Sequence, residues 1–189
     1  MILYRNLCAL IGFEAGISMN GSFMVSNNDR KWESSQIIRL AAEWKKLQEL
    51  FPGVKILYPK DRMNAYVWLN GNTTSGIAYE FISPIPYDFP NSKPNLYLVN
   101  PNPLVAYDGK SHLNSLGSSH AFHMYNNGPN RCISICYTGH WHLGMTFTRV
   151  LSSGITWIQC YQIHTQTGET IDDILVRFKG REHELFNQR

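Results

Sequence analysis

Between Phe51 and Asn100 four short apolar runs alternate with turn residues, and the spacing between them limits the fold more than any other feature. The runs are Val54–Tyr58, Ala65–Leu69, Ile77–Ile82 and Leu96–Val99, each of strand length and rich in β-branched or aromatic residues. Pro59 to Arg62, Asn70-Gly-Asn72 and Pro84 to Pro94 separate them. None of these connections can house a crossover helix, so neighbouring strands must pair antiparallel as a four-stranded meander. Ahead of the meander, Ile37, Leu40, Ala41, Trp44, Leu47 and Phe51 recur at spacings of three and four. That period predicts a helix over Glu33 to Phe51, capped by Ser34 or Ser35 and stopped by Pro52-Gly53. Helical spacing returns only at Phe147, Val150, Leu151, Ile155, Ile158 and Tyr161, predicting a second helix from Phe147 to Gln166 before Thr167-Gly168. The expected class is α+β: N-terminal helix, antiparallel meander, long loop, C-terminal helix.

Composition narrows the function. Hydrophobic residues are 43% of 189, enough for one core and too many for wholesale disorder. Charged residues are only 16%, against about 25% in average soluble domains. A net charge of +3 with no dense Lys/Arg cluster excludes a phosphate-tracking surface, so no nucleic-acid partner is expected. No apolar run approaches the roughly 18 residues of a membrane span. In Met1 to Arg30, Glu14 interrupts the apolar stretch Leu7 to Phe13 too soon for a secretory leader. That segment reads as an N-terminal extension or an edge strand, residues 31–168 as the domain, and 169–189 as a short charged tail. Four cysteines are too few for a disulfide scaffold, and a reducing, cytoplasmic setting is expected.

The chemistry concentrates in Asn100 to Gly144, which has no sustained period yet is too rich in Trp, Tyr, Phe and Cys for a disordered linker. Six of the chain's eleven Cys and His residues lie between His120 and His142: His120, His123, Cys132, Cys136, His140 and His142. Three readings of the residue types compete. One cysteine can be a nucleophile, with Asn126, Asn127, Asn130 or backbone N–H groups as oxyanion donors. The cluster can bind zinc, although the Cys132–Cys136 and His120–His123 spacings match no standard structural zinc pattern. Or Cys132-Ile-Ser-Ile-Cys136 can be a half-buried strand with inert thiols. Cys8 and Cys160 read as core thiols, and Lys110 and Arg131 flank the loop where they can lower a thiol pKa.

Tyr87-Asp-Phe-Pro90, then Lys93-Pro94 and the run Asn95 to Val99, resemble the Pro-rich turn and last meander strand of ubiquitin-conjugating enzymes. In that family a His-Pro-Asn tripeptide, a Gly, the catalytic cysteine and a Trp eight or nine residues later follow in order. The matching stretch here is His123-Met-Tyr-Asn-Asn-Gly128, Pro129-Asn-Arg-Cys132 and Trp141, with nine residues from Cys to Trp. The chain is more closely similar to the bacterial branch found in antiphage defence operons, of the CBASS type or of bacterial ubiquitin-like conjugation systems. That branch carries His-x-Tyr in place of His-Pro-Asn and ends in a helix with Trp, Tyr and Thr-Gly, matched by Trp157, Tyr161 and Thr167-Gly168. The resemblance spans Glu33 to Gly168.

It implies a ubiquitin-conjugating-enzyme-like fold and a thioester-forming acyltransferase with Cys132 as nucleophile. His123 would hold the loop by hydrogen bonding rather than move protons. Met124-Tyr125 replaces Pro-Asn, so the family's oxyanion Asn is absent from its usual place. Asn126, Asn127 or Asn130, or backbone N–H groups, would substitute. Cys136 would pack, and Trp141 would wedge under the loop. Implied partners are an activating enzyme and either a ubiquitin-like modifier or a cGAS-like nucleotidyltransferase of the cyclic-oligonucleotide antiviral system. No cofactor and no metal is called for. The alternatives are a non-catalytic binding module on the same fold and a zinc-stabilised interaction domain.

Overall fold

The computed structural model describes residues 33–57, 65–137 and 140–178; the expected N-terminal extension with Cys8, and the turn Pro59 to Arg62, fall outside them. Helix α1 spans Ser34–Leu50. Its cap is Glu33, not Ser34 or Ser35. Glu33 N–H donates to Gln36 Oε1 at 2.9 Å, which satisfies a backbone donor just ahead of the first turn. The other end of the same amide, Gln36 Nε2, donates to Tyr87 O and Phe89 O, both at 3.0 Å. One side chain therefore both starts the helix and holds the Pro-rich turn against it.

The sheet is antiparallel throughout, in the order β1 (Lys55–Leu57), β2 (Tyr66–Asn72), β3 (Ala78–Pro84), β4 (Tyr97–Asn100) and β5 (Ile133–Ser134). The α+β meander is as expected, but it has five strands rather than four. The added strand is the centre of Cys132-Ile-Ser-Ile-Cys136, with Tyr97 opposite Ser134 and Leu98 opposite Ile133. Alternation within two residues is too short a signal to separate a strand from a loop.

Asn70-Gly-Asn72, read as a turn, is instead strand, with Asn70 opposite Glu80 and Asn72 opposite Ala78. Gly71 leaves the space that the Tyr79 phenol occupies; a Cβ there would come within 2.5 Å of Tyr79 Oη. The reversal comes later. Thr73 N–H donates to Ile77 O at 2.9 Å, Ile77 N–H donates to Thr73 Oγ1 at 3.0 Å, and Gly76 supplies the left-handed φ of 87°.

Helix α2, Phe147–Thr167, lies on one face of the sheet and ends at Gly168 in the left-handed conformation. Phe147, Val150, Leu151, Trp157 and Ile158 are buried with Val67, Leu69, Phe81, Leu96 and Leu98. Each such side chain contributes about 1.5–3 kcal/mol on burial. The approach is close at Gly154, where a Cβ would meet Leu96 at 3.0 Å and Phe81 at 3.3 Å. Buried Glu43 joins the two helices. Its carboxylate accepts from Phe147 N–H at 3.0 Å, at the positive end of α2, and from Arg39 Nε at 2.8 Å. Arg39 in turn donates to Met145 O at 2.7 Å.

Past Gly168, expected as a tail, residues 171–178 are helical, and Ile171 and Ile174 are fully buried in the same core. Among the described residues no helix is long and apolar enough to cross a membrane.

Trp157→Phe keeps the buried ring but removes the N–H that Trp157 Nε1 donates to Phe122 O at 2.8 Å. Leaving that carbonyl without its donor should destabilise the protein by about 1–3 kcal/mol. Urea unfolding followed by circular dichroism measures it, and an unchanged midpoint would contradict the assigned bond.

Candidate active site

Cys132 sits where a strained turn enters the edge strand. Pro129–Arg131 forms a short 3-10 turn in which Asn130 and Arg131 hold left-handed φ values of 54° and 59°. The turn is closed by Arg131 N–H to Gly128 O and Cys132 N–H to Pro129 O, both 3.1 Å, and by Gly128 N–H to Cys132 O at 2.8 Å. Gly128 rests directly on the Tyr97 ring, and a Cβ would approach Tyr97 Cδ1 to 2.4 Å. Two non-glycine residues at positive φ are a local cost, tolerated where surrounding contacts over-determine them.

Those contacts come from asparagines. Asn114, buried at the start of the 3-10 turn Leu113–Leu116, accepts from Leu104 N–H at 2.9 Å through Oδ1. Its Nδ2 donates to Arg131 O at 2.8 Å and to Asn102 Oδ1 at 2.7 Å. Asn102 Nδ2 faces Cys132 Sγ at 3.8 Å. Asn127 Nδ2 donates to Asn114 O at 2.7 Å. The three stretches that meet at the cysteine, residues 102–104, 113–116 and 127–132, are thus joined by side-chain amides.

The thiol is 2% exposed, and burial raises its pKa to about 11, with the negative charge of Glu80 adding to the rise. The expected lowering by Lys110 or Arg131 does not occur. Both are exposed, whereas Glu80 lies near enough to disfavour the thiolate. At pH 7 about one thiol in ten thousand is ionised, so resting Cys132 is a weak nucleophile.

His123 lies elsewhere along the same strand pair. Its carbonyl accepts from Cys136 N–H at 2.8 Å, whereas Gly128 is the residue bonded beside Cys132. Four residues of extended chain amount to about 13 Å. His123 Nε2 instead bonds Asp172 Oδ1 at 2.7 Å, and Asp172 N–H donates to Ala121 O at 3.0 Å. This contact holds the loop to the helical residues after α2. His120 is exposed with its ring 5.5 Å from that of His123, and His140 and His142 are also exposed.

Of the asparagines singled out from sequence, Asn127 reaches the cysteine neighbourhood through Asn114, Asn130 is exposed within the turn, and Asn126 is exposed. Trp141 donates from Nε1 to Pro90 O at 2.7 Å and packs beside Phe89, with ring centroids 6.3 Å apart. It pins the Pro-rich turn.

Cys136 is half-buried in a different group. The Tyr125 hydroxyl shares a hydrogen bond with Cys136, and its pKa is pushed up to about 12 by that bond, by burial and by the charge on Cys136. Lys93 Nζ donates to Tyr125 Oη at 3.0 Å and lies 4.5 Å from the Tyr137 ring, and burial lowers its pKa.

Asn102, Asn114 and Asp172 were missed by sequence reasoning. Asn102 stands in Asn100-Pro-Asn-Pro103, which reads as plain turn chemistry, and nothing local shows that its amide turns inward. Among the described residues no group of three or more His, Cys, Asp or Glu side chains could hold a metal ion, so the six Cys and His residues between His120 and His142 do not converge. Comparison with protein-family models, curated proteins and solved structures finds no match to this chain.

Alkylation of Cys132 by iodoacetamide should rise about tenfold per pH unit from pH 7 to pH 10, because only the thiolate reacts and its pKa is about 11. Fragment-ion mass spectrometry separates it from half-buried Cys136, which lies in the same peptide. A plateau for Cys132 below pH 9 would contradict the burial-raised value.

Proposed function

We propose that the protein is a cysteine-dependent conjugating enzyme. Cys132 accepts the activated C-terminus of a partner protein as a thioester from an activating enzyme and passes it to an amine. The carrying observation is the constellation at Cys132: a cysteine at the exit of a left-handed turn, with a side-chain amide directed at its sulfur. The order of elements also favours the reading. A helix, four successive meander strands, a long ordered loop bearing the cysteine and a helix behind it follow the arrangement of a ubiquitin-conjugating-enzyme-like fold.

The chemistry needs no cofactor. Exchange begins when Cys132 loses its proton and its sulfur attacks the donor's thioester carbon; the donor's thiol leaves and takes up a proton. An amine then attacks the new thioester and Cys132 is released. The high pKa keeps Cys132 protonated at rest, so exchange requires its ionisation when the donor docks. His123, tied to Asp172, is a structural support of the loop in this scheme, not a general base. The setting is a reducing cytoplasm, which suits the free thiols of Cys132, Cys136 and Cys160. By the resemblance to bacterial defence proteins, the transferred protein is a ubiquitin-like modifier or a cyclic-oligonucleotide nucleotidyltransferase. One observation favours the rival binding module: a thiol 2% exposed is poorly placed for any reaction in the resting state.

Incubation with an activating enzyme, its nucleotide and a cognate modifier separates the two. Wild type should form an adduct cleaved by reductant, and Cys136→Ser should retain it. Cys132→Ser should give either no adduct or an oxyester that survives reductant and yields to hydroxide. A reducible adduct on Cys132→Ser would move the nucleophile elsewhere. With loaded activating enzyme demonstrated, absence of an adduct in every variant would favour the binding module.

A further inference from the structure

We infer that Asn102 is the oxyanion donor for acyl transfer at Cys132, and that Asn114 is the residue that orients it. The inference rests on the thioester reading above. The direction of the hydrogen bonds decides the matter, because an amide whose oxygen and nitrogen were exchanged would present the wrong group to the sulfur.

The direction is fixed by groups that have no choice. Leu104 N–H is a backbone donor, so the Asn114 atom 2.9 Å from it must be the oxygen. Asn114 Nδ2 therefore faces the other way, and its contact with Arg131 O at 2.8 Å agrees, since a carbonyl can only accept. The same Nδ2 then meets Asn102 at 2.7 Å, which requires the Asn102 oxygen on that side. What remains of Asn102 is its NH2 group, directed at Cys132 Sγ from 3.8 Å. Two backbone groups bonded to Asn114, one donor and one acceptor, set both amides.

Three other donors close in sequence to the sulfur are engaged elsewhere. Cys132 N–H and Arg131 N–H close the turn onto Pro129 O and Gly128 O. Asn127 Nδ2 is bonded to Asn114 O, and Asn130 is exposed. Among the described side-chain amides, Asn102 is the one bonded to Cys132 Sγ, so its NH2 lies beside any acyl group the sulfur would carry.

In the transfer step an amine nitrogen attacks the carbonyl carbon bound to Sγ. A C–N bond forms and the C=O electron pair moves onto oxygen. That pair then returns as the C–S bond breaks, Cys132 leaves as thiolate, and the thiolate takes up the proton lost by the amine. Donors stabilise the intermediate when they lie about 2.7–3.1 Å from the developing oxyanion, and loss of one such donor slows reaction about 10²- to 10³-fold.

The test uses the full chain and a short peptide α-thioester as acyl donor, loaded onto Cys132 by thiol exchange and located by mass spectrometry. Aminolysis of the loaded protein by free lysine is followed in a single turnover. Asn102→Ala should slow it about 10²- to 10³-fold relative to wild type. Alkylation of unloaded Cys132 by iodoacetamide, a displacement that forms no oxyanion, should not be slowed. Asn102→Asp preserves the shape and the acceptor for Asn114 while removing the donor, and it should lose aminolysis likewise should the alanine variant fold poorly. Equal aminolysis rates for wild type and either folded variant would overturn the inference and leave the thioester reading intact. A parallel fall in aminolysis and alkylation for Asn102→Ala would overturn it too, by assigning the amide to thiol placement. A wild type that cannot be acylated at Cys132 at all would instead sink the thioester reading, and this inference with it.

Discussion

Asn114 joins three stretches of irregular chain, residues 102–104, 113–116 and 127–131, through one buried residue. Its side chain binds Leu104, Asn102 and Arg131, and its own carbonyl takes the amide of Asn127. Buried amides are costly unless every group is paired, and here each partner contributes to the pairing of another. The turn at Pro129–Arg131, with two residues at positive φ, persists because Arg131 O is held from beneath. Without that anchor the strained turn would relax, and the position of Cys132 relative to β4 would relax with it.

Helix α2 plays the corresponding part on a larger scale. A loop of this length carries many backbone polar groups that no ladder satisfies. Trp157, Tyr161 and His164 project from the helix and bond Phe122 O, Val105 O and Tyr107 N–H. The apolar period that predicts the helix therefore conceals a second use of the same face: its larger residues bury rings and present polar tips to the loop. Loop order comes from the helix.

Legibility in the sequence followed the range of the interactions. The two long helices and the first four strands were readable because period and turn chemistry are local, whereas the helical residues 171–178 were read as tail because eight residues are too few to show a period. The misread turn at Asn70-Gly-Asn72 failed on a neighbour in the sheet, since the Tyr79 ring lies over Gly71 and the left-handed residue is Gly76. The strand Ile133–Ser134 exists because β4 offers it an edge. The site divides in the same way. Cys132, His123 and Asn127 stand out by residue type and by resemblance in order and spacing. Asn102 and Asn114 bond across 12 residues and reach the cysteine segment across still longer separations. Asp172 reaches His123 across 49 residues. Such pairings have no signature in a single chain.

The burial of Cys132 bears on how the protein ages. Peroxide attacks thiolate, and oxidation past the sulfenic stage is for most proteins irreversible. A thiol that is 2% exposed and held protonated, with a pKa near 11, presents almost no target at neutral pH. Protein that waits idle in an oxidative burst keeps its sulfur, and becomes vulnerable only during the brief intervals when that sulfur is ionised and uncovered.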